Sequence, residues 1–325
     1  MPGDKSGGFM IVRERLGLIA VVACVCIFAI PFRAVYPNDK EITPEELVEK
    51  HLKSIGTPEK VMAVDSWGIS GKAEVEFILG GSGNLTNGQF MCVSDGHKMA
   101  IKMDFEDINY PGEYFAYDGK DVTVGHITPG QRSPLADFIF LHNATMREGF
   151  LGGVLSTAWP LLHIEEGEKP RMKLNETEIK GRRLYELEYG TPGKRPGNMR
   201  VKLFFDKENF HHVRTEYRVL IADELTSVRS IVSGSVSDNQ GTPSGMPAAS
   251  APRATIMESQ PDSIYLLVEE FDNFAVVGGL VLPLNYSLEY SLEGHGATFL
   301  AKWTLQAQVY ANNGDIDQTF FVAQK

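Results

Sequence analysis

Apolar and polar residues alternate with a period of two through the last third of the chain. Leu280, Leu282, Leu284, Tyr286, Leu288, Tyr290 and Leu292 fall on every second position, with Asn285, Ser287, Glu289, Ser291 and Glu293 among the residues between them. Successive side chains of a β-strand point to opposite faces, so this pattern predicts a long strand with one covered and one wet face. Phe299, Ala301, Trp303, Leu305, Ala307 and Val309 repeat it against Lys302, Thr304, Gln306 and Gln308, and Gly294-His295-Gly296 turns one run into the other as a hairpin.

The same period runs through much of the chain before it. Ala73, Val75, Phe77 and Leu79 alternate with Lys72, Glu74 and Glu76, and Gln89 to Val93 and Lys98 to Phe105 follow as strands. Tyr114 to Tyr117 and Val122 to Val124 flank the turn Asp118-Gly119. After an interruption come Arg171 to Ile179, Leu184 to Tyr189, Met199 to Phe205, His212 to Ile221 and Ile264 to Phe274. In the fourth of these, Val213, Thr215, Tyr217, Val219 and Ile221 share a side, opposite Arg214, Glu216 and Arg218. Asp317 to Val322 is expected to be the last strand.

Helical signals are few. Thr43-Pro44-Glu45-Glu46 is a capping box with proline at the first helical position, and Leu47, Val48, His51, Leu52 and Ile55 then share one face up to Gly56. Thr57-Pro58-Glu59 starts a second, short helix. Residues 134–163 read as two more, Pro134 to Leu141 and then Phe150 to Leu162 with its end near Pro160. Their apolar side chains exceed what one exposed helix needs, so the segment is expected to lie buried against the sheet. Two roles stay open for it: a plug that is simply core, or a lid over a lipid-sized cavity lined by Phe138, Phe140, Phe150, Leu151, Leu155 and Trp159. Gly149, Gly152 and Gly153 would let such a lid bend.

Residues 226–263 are dominated by Ser, Gly, Pro, Ala and Asn, and such a stretch offers too little apolar burial to offset its ordering entropy. They are expected to form a mobile loop rather than a linker, because too few residues follow to build a second core. Residues 37–325 are therefore expected to form a single domain.

The first 36 residues differ in kind. Arg13 and Arg15 precede an apolar run over residues 16–32, the pattern of an export signal, and the run is also long enough to stay as a membrane anchor at the short limit. Val21-Val22-Ala23-Cys24 resembles a lipoprotein processing box. Cleavage, retention and lipidation at Cys24 all remain open, and each places the rest of the chain outside the cytoplasm. The net charge is −11, and the leader carries four basic residues against two acids, so the remainder is more acidic still. Such a body is unsuited to nucleic acid, whose phosphates need clustered Lys and Arg. Beyond the leader only Cys92 remains, so no intrachain disulfide can form there.

No nucleophile elbow, phosphate loop or zinc-protease spacing is present, and neither an enzyme nor a cofactor is expected. Gly81-Ser82-Gly83 reads as a turn. His211-His212 opens a strand, so the two rings point to opposite faces and cannot hold one ion together; a polar strand end is the expectation. Asp104, Glu106 and Asp107 read as a solvated strand end rather than a Ca²⁺ loop. Cys92 reads as a small buried hydrophobe.

Three stretches together resemble a known family: the helix Glu46-Leu47-Val48-Glu49-Lys50-His51-Leu52-Lys53-Ser54-Ile55-Gly56; the pair Leu203-Phe204-Phe205-Asp206-Lys207-Glu208 and Val213-Arg214-Thr215-Glu216-Tyr217; and Phe271-Asp272-Asn273-Phe274 with Gly279-Leu280-Val281-Leu282-Pro283. Over about residues 43–322 the chain resembles the periplasmic lipoprotein-carrier superfamily of outer-membrane lipoprotein-sorting proteins. The resemblance implies an incomplete antiparallel β-barrel, here of about 10–12 strands, whose apolar concave face is covered by helices. It implies binding of lipid or lipoprotein acyl chains without catalysis, in the periplasm. The alternative is an envelope-anchored module that uses the same fold, its core filled, to bind a protein partner.

Overall fold

The computed structural model describes residues 42–81, 83–164, 170–190, 199–221, 263–294 and 297–323. Contacts divide the chain into Met1–Glu41 and Ile42–Lys325, and every described residue belongs to the second unit. The leader with its apolar run and Cys24, the loop expected over 226–263 apart from its last residue, and His295-Gly296 of the hairpin turn lie outside the described residues.

Four helices and twelve strands are described: α1 (Pro44–Ile55), α2 (Pro58–Met62), β1 (Ser66–Leu79), β2 (Gly83–Asp95), β3 (Lys98–Asp104), β4 (Gly112–Tyr117), β5 (Val122–Val124), α3 (Pro134–Leu141), α4 (Ala144–Arg147), β6 (Arg171–Ile179), β7 (Arg182–Gly190), β8 (Arg200–Asp206), β9 (His212–Ile221), β10 (Ser263–Val277), β11 (Leu280–Gly294) and β12 (Ala297–Asn312). All the strands belong to one antiparallel sheet in the order β5-β4-β3-β2-β1-β12-β11-β10-β9-β8-β7-β6. Its ends do not pair, so the barrel is incomplete. One cluster of buried side chains takes in Ile69, Ile101 and Phe115 from one half of the sheet, Leu187, Tyr217 and Leu288 from the other, and Leu135 to Leu161 between them. The sheet therefore curls around the segment that interrupts it. The opposite face is wet along β9 and β10, where Arg214 pairs with Glu216 and Glu270.

Local chemistry explains the well-predicted elements. Thr43 accepts from the Glu46 amide while Glu46 accepts from the Thr43 amide, the reciprocal capping box that starts α1. The Ser133 hydroxyl accepts from the Ala136 amide to start α3, with Pro134 at its first position. Asp206 accepts from the Glu208 and Asn209 amides and so turns β8 into β9.

Three expectations are corrected. The final strand is absent: residues 318–321 form a 3₁₀ turn capped by Asp317, and Phe321 packs on Val93, Ala100 and Ala116 across the outer face. The run Phe150 to Leu162 is not an α-helix but a chain of turns around a 3₁₀ turn at Gly153–Leu155, with α4 before it. Gly149, Gly152 and Gly153 have φ of 72°, 83° and 50°, left-handed values that break a helix wherever they fall. Gly149 has no room for more, since an added Cβ would lie 1.9 Å from the Ala158 carbonyl oxygen. Gly149→Ala is expected to cost about 1–2 kcal/mol from the backbone alone, and more from the clash. An unchanged melting temperature would mean that the turn relaxes at no cost.

The third correction is one of phase. Simple alternation puts Val213 and Val309 on the covered face. At β12, Ser70 pairs with Val309 but Gly71 with Ala307, so Gln308 is an extra residue and the alternation reverses beyond it. Val309 is consequently 58% exposed, while Tyr310 turns in against Trp67. In β9, Phe205 pairs with His212 and Phe204 with Arg214, leaving Val213 as the extra residue. Val213 packs outside with Leu184 and Phe204, and His212 points inward.

Candidate functional site

The face around which the sheet curls is occupied by residues of the chain itself. Phe138, Phe150, Leu151, Leu155 and Trp159 are buried, whereas Phe140 is partly exposed beneath the Arg132 guanidinium, 3.9 Å from its ring centroid. Aromatic contacts join the segment to the sheet: Phe138 to Tyr290 at 5.3 Å, Phe150 to Tyr189 at 5.1 Å, and Trp159 stacked on His212 at 4.8 Å between centroids. Five of the six residues expected to line a cavity are thus brought together with the sheet, and Phe140 stands apart from them.

Beneath these aromatics lies a polar group that the sequence pattern does not single out. Glu269 of β10 is fully buried and accepts from the Tyr217 hydroxyl at 2.5 Å, the Tyr286 hydroxyl at 2.6 Å and the Gly152 amide at 2.7 Å. It therefore ties the interrupting segment to three strands. Burial pushes its carboxyl up to about 7, against the pull of these donors. One signal of it exists in the sequence: Tyr265, Leu267 and Phe271 share its phase, so an acid sits on an apolar face.

His212, expected as a polar strand end, is instead core. It lies among Trp159, Phe205 and Phe271, and His51 of α1 approaches at 6.2 Å. The bulge at Val213 turns it inward, and no alternation pattern reports a bulge. Both imidazoles are fully buried, and burial pushes His51 down to about 4 and His212 well below its usual value, so both are neutral near pH 7. His51 Nε2, His212 Nδ1 and Trp159 Nε1 have no hydrogen-bond partner among the described residues. His211 points the other way, onto Phe274. Cys92 is buried, and burial pushes its thiol up to about 12, which suits packing rather than nucleophilic chemistry.

Open space lies at one end of the curl, in a cavity of about 360 Å³. Phe77, Leu85, Ile127, Phe299 and Trp303 wall it, Tyr110, Glu113 and Ser133 form its buried polar side, and Asp107 with the exposed Asn84 and Asn109 completes the polar lining. The neighbours of its rim residues include exposed apolar side chains: Ile78 and Leu79 beside Phe77, and Ile108, 92% exposed, between Asp107 and Asn109. Glu113 of β4 is buried and accepts from the Tyr110 hydroxyl at 2.7 Å and the Ser133 hydroxyl at 2.8 Å. Tyr110 in turn accepts from the Trp303 indole at 2.7 Å. Burial pushes the Glu113 carboxyl up to about 7. A second, more polar cavity of about 390 Å³ includes Lys102, Asp104 and His126 in its lining and has only Glu113 in common with the first. Asp107, from the acidic patch, accepts from the Asn109 and Tyr110 amides and so shapes the loop at the rim.

Among the described residues no helix is long and apolar enough to cross a membrane, and no group of three or more His, Cys, Asp or Glu could hold a metal ion.

No family model and no curated protein matches the chain. Among solved structures, it is similar to a LolA superfamily protein from Nitrosomonas europaea, at 14% identity and a TM-score of 0.42, over 87% of this chain and 98% of that one. It is similar at 9% identity and a TM-score of 0.32 to a putative outer membrane lipoprotein-sorting protein domain from Vibrio parahaemolyticus, over 84% of this chain and 97% of that one. A third is MucB in complex with MucA(peri), at 9% identity and a TM-score of 0.20, over 84% of this chain and all of the other.

Proposed function

We propose that this chain is a non-enzymatic, extracytoplasmic binding or transport protein for the acyl chains of lipids or lipoproteins. The observation that carries the reading is an unclosed sheet with a continuous apolar face and, at one end, an open cavity with mostly apolar walls. At about 360 Å³ this cavity falls in the lower range of small-molecule sites, which run from about 300 to 1,000 Å³. The apolar run over residues 16–32 supports a place outside the cytoplasm, whether the leader is cut or kept. None of Phe138, Phe140, Phe150, Leu151, Leu155 and Trp159 lines this cavity, and on this reading a chain reaching past it would have to part the buried aromatics of residues 134–163 from the sheet.

Extraction of the purified protein with organic solvent, followed by mass spectrometry, is expected to release acyl lipid in a fixed ratio to protein. A chain that carries no lipid and takes up no fluorescent fatty acid sinks the reading. A second reading, a protein-interaction module with a filled core, is favoured by the full burial of Phe150, Leu151 and Trp159. On that reading the lipid experiment fails while the fold stays intact.

A further inference from the structure

The polar groups inside the end cavity are unbalanced. The Trp303 indole N–H is spent on Tyr110, the Tyr110 hydroxyl on Glu113 and the Ser133 hydroxyl on Glu113. Ser133 also uses a lone pair to cap α3 through the Ala136 amide. The buried side-chain donors of the lining are therefore committed within the protein, and the other side-chain donors, the carboxamides of Asn84 and Asn109, belong to exposed residues. Each carboxylate oxygen of Glu113 accepts one of these bonds, and each has a second lone-pair direction to offer. Among the described residues no Lys or Arg lines the cavity, and Asp107 stands at its rim. Beside an ionised Glu113 the buried wall can accept hydrogen bonds but has no side-chain donor to give, so a carboxylate or phosphate brought against it would meet a like charge in place of a partner.

We propose that this cavity binds a single-chain amphiphile whose polar end is a primary ammonium, the chain lying along Phe77, Leu85, Phe299 and Trp303 and the ammonium donating to Glu113. This rests on the acyl-binding reading and narrows it to a head group. A compact ammonium brings three donors to this buried acceptor, and its charge would stabilise a carboxylate that burial alone disfavours. The volume suits one chain rather than the paired chains and phosphate of a diacyl phospholipid. Because Glu113 also holds Ser133, the residue that starts α3, an occupied site would bear directly on the position of that helix.

The test compares dodecylamine, dodecanol and dodecanoate, each below its micelle threshold, for displacement of a fluorescent alkyl probe from the full-length protein at 0.15 M salt. Dodecylamine is expected to bind at least about tenfold tighter than the other two. Glu113→Gln should erase that preference while the alcohol's affinity stays within about threefold. Leu85→Trp, which fills the cavity and leaves the carboxyl in place, should weaken all three. Equal binding of amine and alcohol, a preference for dodecanoate, or an amine preference that survives both substitutions overturns the proposal while leaving acyl binding intact. Failure of all three ligands to bind overturns the proposal and the acyl-binding reading together. If Glu113→Gln does not fold, the ligand ranking of the wild type and the effect of Leu85→Trp still decide.

Discussion

Trp159→Ala is expected to lower the stability of the fold by about 3–5 kcal/mol, the range for deleting a fully buried large aromatic. For a unit of this size that is a fall in melting temperature of about 6–20 °C. The size of the effect follows from its place: the indole stacks on His212 and lies in the large cluster that takes in both halves of the sheet. Trp159→Phe should cost far less, because it keeps an aromatic ring and removes an indole N–H that has no partner among the described residues. The pair of variants separates two states of residues 134–163. A plug unfolds with the sheet, so the loss appears in the global transition. A detachable lid would leave the melting temperature of Trp159→Ala near that of the wild type and show its loss only as faster amide exchange in the segment.

Glu269→Ala is expected to be comparably damaging, by about 3 kcal/mol or more, since it leaves two buried hydroxyls and the Gly152 amide without their acceptor. Its isosteric relative Glu269→Gln makes a sharper test through pH. Glu269 and Glu113 are both held up to about 7 from an ordinary 4.5, so each binds a proton in the fold that the unfolded chain has released. Their contribution is full below pH 4.5 and is lost as the pH rises through 7. His51, held down to about 4 from an ordinary 6.5, and His212, held lower than usual as well, run the other way. Theirs is full above pH 6.5 and is lost as the pH falls toward 4. Between pH 4.5 and 6.5 the two carboxyls and the two imidazoles therefore oppose one another, each with a slope of about 1.4 kcal/mol per pH unit. Glu269→Gln removes one carboxyl from that balance. Relative to the wild type, its stability should rise across this window by about 1.4 kcal/mol per pH unit, measured by denaturant titration at pH 5 and 6. Parallel pH profiles for the two proteins would show that Glu269 titrates alike in the folded and unfolded chain.

Where the rules are local, the sequence is readable. The capping box of α1, the start of α3 at Pro134, the turn at Asp206 and the alternation along β11 each rest on residues within a few positions of one another, and each stands in the structure as read. The errors share a different cause. One extra residue in a strand, Gln308 or Val213, reverses inside and outside for everything beyond it, and that is a property of the partner strand as much as of its own. The second half of the interrupting segment has the apolar composition of a buried helix, although three left-handed glycines prevent one. The last segment has strand-like residues, but the sheet has no edge left for it beside β12, which pairs on both sides. Of the interior, the burial of the apolar side chains of residues 134–163 is legible, while the cavity, lined by none of the six expected residues, and the polar groups are not. Glu113 and Glu269 look like ordinary surface acids until their phase is compared with Phe115 and Phe271, and the partners that justify their burial come from distant elements.

The strand order also bears on how the molecule is made. β1 to β5 form one meander and β6 to β12 another, and β1 with β12 is the one pairing that connects the two, with Trp67 set against Asn312 and Val75 against Trp303. The central seam of the sheet therefore joins the first described strand to the last, and it cannot zip until the chain has been synthesised through residue 312. Closing so long a stretch is entropically costly and slow compared with forming neighbouring hairpins. Until then, the wall bearing Ile69, Ala73 and Val75 waits with its second edge unpaired, and the aromatics of residues 134–163 have only half a cradle in which to settle.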